Sequence, residues 1–250
     1  MTRTTRYILT ISILATGTET AWSAGPNIRL EKPQAFLTVR VYNHVGVPVG
    51  VMLSATQIAR EIYREIGIET RWVSCLARQG QAPASLCATP PDVTNLRVQI
   101  GSEADAVKFG AGATTSGYAM PAKQGEFGST TILFFNRISR QATESGVAVE
   151  TLFGHMLAHE IGHLLLGRDP AGGDSHSKSG IMKAPWGRSE LRQASTGALR
   201  FHNREKRRLI SNATARNRSE PLGTAPEHSN GFAKPGSLAS SSESSRRRQP

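Results

Sequence analysis

The chain has 250 residues, 38% of them hydrophobic, with 30 Lys and Arg against 19 Asp and Glu, for a formal net charge of +11. This length holds one ordinary globular domain with tails, and the apolar fraction is enough to build a core, which excludes a wholly disordered polymer. The basicity invites a nucleic-acid or anionic-surface function, but Arg204, Lys206, Arg207, Arg208, Arg216, Arg218 and Arg246 to Arg248 all lie at the C-terminal end of the expected folded region or past it. Such runs are most often solvated tails, so a weak anionic partner reached through the tail is the most they imply.

The N-terminus reads as an export signal over residues 1–23: Arg3 and Arg6 precede the short apolar run Tyr7 to Ala15, and Ala21-Trp22-Ser23 offers small residues for cleavage before Ala24. That run is too short to span a bilayer, and no other segment is long and apolar enough. Secretion or periplasmic export follows, with no transmembrane anchor in the mature chain, which is expected to be a monomer. Ala35 to Tyr42 alternates as a half-buried strand, and Leu53, Ile58, Ile62 and Ile66 recur at helical spacing before Gly67. Ile68 to Val73 is a second strand. Cys75 and Cys87 then fall in a Pro- and Ala-rich loop, and in an exported chain such a pair predicts one disulfide. Asn95 to Ile100, Gly117 to Met120 and Thr130 to Asn136 read as further strands. Val147 to Leu166 reads as one long helix, and Arg188 to Leu209 as another. Past Ser211 the chain turns to Ser, Arg, Pro, Gly and Asn, a composition that favours disorder. The expected organisation is a folded domain over residues 30–210 and a disordered basic tail over 211–250. The fold class is α+β: a twisted mixed sheet with helices on one side.

The long helix carries His159-Glu160-Ile161-Gly162-His163. A helix advances about 100° per residue, so the two histidines share a face one turn apart, where one tetrahedral Zn²⁺ can take both. Glu160 lies beside them, placed to take a proton from a metal-activated water. The bland alternative is two core histidines and a surface Glu. Against it, the helix is strongly apolar, and a buried unpaired carboxylate is costly. His155, one turn earlier, has Met156 where the acid would stand and reads as a packing residue. A catalytic zinc keeps three protein ligands, so one must come from downstream of Gly167. Two residues can supply it: His176, in Ser175-His176-Ser177, and Asp169, ten positions after His159.

The string Ala158 to His163, followed by His176-Ser177 and Ile181-Met182, resembles the metzincins, zinc endopeptidases marked by HExxHxxGxxH and a later methionine turn. It is particularly similar to matrixin-type sites and to uncharacterised bacterial exported proteins carrying HELGHLLLG, HS and GxM. The resemblance covers about 180 residues. It implies an active-site helix followed by a Met turn and a C-terminal helix, with Met182 as the turn methionine, Glu160 as general base and one catalytic zinc. Two departures stand out. The clan's Gly position is Leu166 here, and its third-ligand position is Asp169, a residue type tolerated in the snapalysin branch. The HS…GIM string favours His176. The resemblance also implies a protein or peptide substrate docking on the Gly117-to-Met120 strand, with Tyr118 and Trp186 as candidate pocket residues. The competing function is a basic exported binding protein whose zinc site is structural or inactive.

Overall fold

The computed structural model describes residues 32–75, 85–120, 127–167 and 175–218. The expected export signal, Asp169 and the chain from 219 onward lie outside the described residues.

Five segments pair into one sheet: β1 (Ala35–Asn43), β2 (Ile68–Ser74), β3 (Asn95–Gly101), β4 (Gly117–Ala119) and β5 (Thr130–Phe134). Their order is β2-β1-β3-β5-β4, with every pair parallel except β4, which runs antiparallel to β5 at the edge. Parallel neighbours need a crossover, and α1 (Val49–Arg64) supplies it between β1 and β2. Along β1 the alternation is strict. Ala35, Leu37, Val39 and Val41 enter the main core, which they share with buried residues of α1, α5 (Val149–Leu166) and α7 (Asn203–Arg218). The long helices therefore cover one face of the sheet, as the apolar pattern requires.

The other face is thinner. There α3 (Glu103–Lys108) packs Ala106 on Ile132 and Phe134. Arg40, also on this side, donates to the carbonyls of Leu86 and Thr89 at 2.7 and 2.6 Å. These bonds hold α2 (Ser85–Ala88), which carries Cys87, disulfide-bonded to Cys75 as the spacing predicts.

Five elements differ from the sequence expectation, the first being the short α2 inside the cysteine-bearing loop. The loop after β3 contains α3, started by a capping box in which Ser102 and Asp105 satisfy each other's backbone N–H. The apolar run from Thr130 to Asn136 is a strand only as far as Phe134; α4 (Phe135–Ser145) follows without a turn, burying Ile138 and Ala142, and ends at Gly146 with φ 69°. The single helix expected over Arg188 to Leu209 is two, α6 (Arg188–Ser195) and α7, because the chain turns at Gly197 (φ 67°) and buries Leu199 and Phe201 between them. On α1 the buried face is Ala55, Ala59, Ile62 and Tyr63, while Leu53 is exposed. The small alanines let α1 approach α5, where a Cβ on Gly154 would meet the Ala55 carbonyl at 2.8 Å.

The boundary at Ser211 also moves, since α7 runs to Arg218. Arg216 is no solvated tail residue. Its fully buried guanidinium donates to the carbonyls of Val93 (2.9 Å), Gly128 (3.0 Å) and Leu164, and stacks 4.4 Å from the Phe127 ring. A low-complexity sequence gave no sign that one arginine satisfies three carbonyls inside the fold. Arg216→Ala is expected to destabilise the protein by about 3 kcal/mol in urea unfolding, because it strands buried acceptors. The exposed Arg218→Ala is expected to stay within about 0.5 kcal/mol of wild type.

Candidate metal centre

The site is built on α5, which is apolar nearly all round and is packed against α1, α4, α6, α7 and the β4–β5 edge. A helix so enclosed positions its side chains rigidly. His159 and His163 meet with ring centroids 4.6 Å apart. The helix ends at Gly167 in a positive-φ conformation (67°). The exposed His176 then stands with its ring 4.6 Å from that of His163 and 5.5 Å from that of His159. One ligand nitrogen from each of the three lies within 4.8 Å of the others, the one such cluster among the described residues.

The tautomer of His159 is fixed by a backbone oxygen. Its Nδ1 lies 2.6 Å from the carbonyl of Ile181. A carbonyl can only accept, so Nδ1 carries the hydrogen and Nε2 presents a lone pair. Burial pushes the pKa of His159 down to about 4 against the raising effect of that bond, so the ring is neutral at physiological pH. His163 is lowered further, first by burial and then by the neighbouring imidazoles His159 and His176. Its Nδ1 lies 2.7 Å from Oγ of Ser175, and its Nε2 lies 3.0 Å from Nε2 of His159. Two such nitrogens must share either a proton or a cation. Tetrahedral zinc, with Zn–N of ~2.0–2.1 Å, sets its nitrogens roughly 3.3 Å apart, close to the 3.0 Å between the His159 and His163 nitrogens, so this imidazole set suits such an ion.

Glu160 sits on the sheet side of the helix, 5% exposed, with one oxygen 3.5 Å from Oγ1 of Thr131 on β5. Burial raises its pKa to about 8, opposed by the Thr131 contact. The carboxyl presses on Gly117 of β4: a Cβ built there would stand 2.6 Å from Glu160 Cδ and 2.8 Å from Cγ. Gly117 is not among the positive-φ glycines, so its backbone would accept a side chain. The carboxyl is what excludes one.

Beneath the histidines, Met182 is fully buried, and its Sδ would lie 2.6 Å from a Cβ on Gly162. Its sulfur thus fills the space that the glycine between Glu160 and His163 leaves open. Trp186 is 7% exposed, donates through Nε1 to the Ile181 carbonyl at 3.1 Å and stands edge-on to His155 and His159. It buttresses the rings and is not an open pocket wall, whereas Tyr118 on β4 is 45% exposed. His155 is a buried packing residue donating from Nδ1 to the Thr151 carbonyl at 2.8 Å. The roles of Gly117, Thr131 and the Ile181 carbonyl were not legible from the residues alone, because what they do depends on which elements lie beside the helix.

No family model and no curated protein matches this chain. Among solved structures, it overlaps the crystal structure of archaemetzincin (amzA) from Methanopyrus kandleri at 17% identity, covering 71% of this chain and 95% of that one, with a TM-score of 0.43. It overlaps myroilysin at 16% identity, covering 70% and 72%, with a TM-score of 0.31. Overlaps this loose do not establish membership of a family.

Gly117→Ala is expected to cost about 1–3 kcal/mol by crowding Glu160. Most of that cost should vanish when the same change is made in a Glu160→Ala background. An equal cost in both backgrounds, measured by urea unfolding, would show that the glycine serves its own strand and not the carboxyl.

Proposed function

We propose that this chain is a zinc-dependent endopeptidase acting on exported or extracellular proteins and peptides. The observation that carries the proposal is the convergence of three imidazoles, two of them on a buried helix, beside a buried carboxyl and a sheet edge. His159, His163 and His176 would hold the ion, three protein ligands being the number a catalytic zinc keeps. When bound, zinc polarises the scissile carbonyl and brings the pKa of a water toward ~7. Glu160 takes the proton from the attacking water and hands it to the leaving amine nitrogen as the C–N bond breaks. Burial raises its proton affinity, which favours holding that proton once taken, while a bound cation beside it would favour the ionised carboxylate that takes it.

β4 stands at the sheet edge, so an extended substrate adds to it as a further strand, with main-chain hydrogen bonds giving affinity. Tyr118 projects from that strand toward the side chains of such a substrate. The Cys75–Cys87 disulfide accords with an oxidising compartment outside the cytosol. Met182 floors the site in the manner of a turn methionine.

Glu160→Gln is expected to retain zinc while lowering cleavage of casein or gelatin by at least ~10²-fold. Wild-type activity in that variant would remove the carboxyl from the mechanism. Metal analysis of His176→Ala beside Asp169→Ala separates the two third-ligand candidates. The His variant should lose zinc and the Asp variant keep it; the reverse result would transfer the role to Asp169.

A further inference from the structure

Two of the three imidazoles come from a rigid helix, but His176 comes from a loop. A loop ligand must be ordered each time the ion binds unless the fold has already fixed it. Both chain neighbours of His176 are fixed. Ser175 holds Nδ1 of His163 through its Oγ at 2.7 Å. Ser177 donates its backbone N–H to the Met182 carbonyl at 2.8 Å and its hydroxyl to the carboxylate of Glu205.

Glu205 is 7% exposed and lies in the first turn of α7. One of its oxygens accepts from the backbone N–H of His202 at 2.7 Å, which is an ordinary helix-capping duty. An exposed glutamate would perform that duty equally well. Here the carboxylate is buried, and its other oxygen is committed to Ser177, 28 residues away. Burying a carboxylate is costly unless each oxygen is satisfied, so the loop and the helix depend on one another. Bonds alongside extend the seam: Ser179 Oγ lies 2.8 Å from His202 Nε2, and the Ile181 N–H donates to the Arg200 carbonyl at 3.0 Å.

We infer that Glu205 and Ser177 form a strut that pre-sets His176 for the metal, making them positioning residues of the centre. The inference rests on His176 as third ligand, the reading given above. The strut carries the stiffness of α7 to the one ligand that α5 cannot supply.

The test is zinc affinity of the chelator-stripped full-length protein, read by competition with a chromogenic chelator. Ser177→Ala keeps the Glu205 cap on His202 but removes the strut; its zinc binding should weaken about tenfold or more. Ser177→Thr, which keeps the hydroxyl, should return affinity to wild type. A lowered melting temperature of the metal-free Ala variant with unchanged zinc affinity would mean a purely structural bond and would overturn the inference. If Ser177→Ala does not fold, Glu205→Gln, with one acceptor oxygen for two donors, is read in the same assay. Weakened binding supports the strut, and wild-type affinity overturns it. Wild-type protein that binds no zinc would remove the metal centre itself, a result distinct from equal affinities across the series.

Discussion

The centre depends on one backbone oxygen. The carbonyl of Ile181 accepts from Nδ1 of His159 and from Nε1 of Trp186, at 2.6 and 3.1 Å. The first bond sets which nitrogen of His159 is bare, and the second holds the indole edge-on against the same ring. Without that acceptor, the tautomer placing a lone pair toward His163 has no special advantage. Because Ile181 directly precedes Met182, the same turn orients His159 and packs against the helix at Gly162.

Close approach is the second constraint. Four glycines without positive φ mark where the site and its helix meet their neighbours: Gly154 against α1, Gly162 against the Met182 sulfur, Gly117 against the Glu160 carboxyl and Gly128 against Leu164. A side chain at any of them would meet an atom within 3 Å. The central helix is thus closely packed on several sides, and His159 and Glu160 are both buried within that packing. Burial that stabilises the fold also sets the electrostatics, keeping the ring of His159 neutral and raising the proton affinity of Glu160.

Much of this was legible in the sequence where periodicity is strong. The alternation of Ala35 to Tyr42, the all-apolar helix ending at Leu166 and the one-turn spacing of His159 and His163 each follow from local geometry alone. Position 176 was readable as one of two candidates, because spacing orders ligands on a helix but not across a loop. Other features were hidden for identifiable reasons. α4 follows β5 without a turn, so the run from Thr130 to Asn136 masked the change of period. Arg216 looked like tail chemistry because composition cannot register three buried carbonyls awaiting a donor. The roles of Gly117 and Glu205 exist only once strands and helices are assembled, since each serves a residue far away in the chain.

The central claim is that three imidazoles of this chain share one divalent ion. A crystal structure of the zinc-loaded protein, with anomalous data collected at the zinc edge, addresses it without recourse to activity. The account predicts one strong peak at ~2.0–2.1 Å from a ring nitrogen of each of His159, His163 and His176. A peak elsewhere, or none while the rings stay hydrogen-bonded to one another, would contradict it.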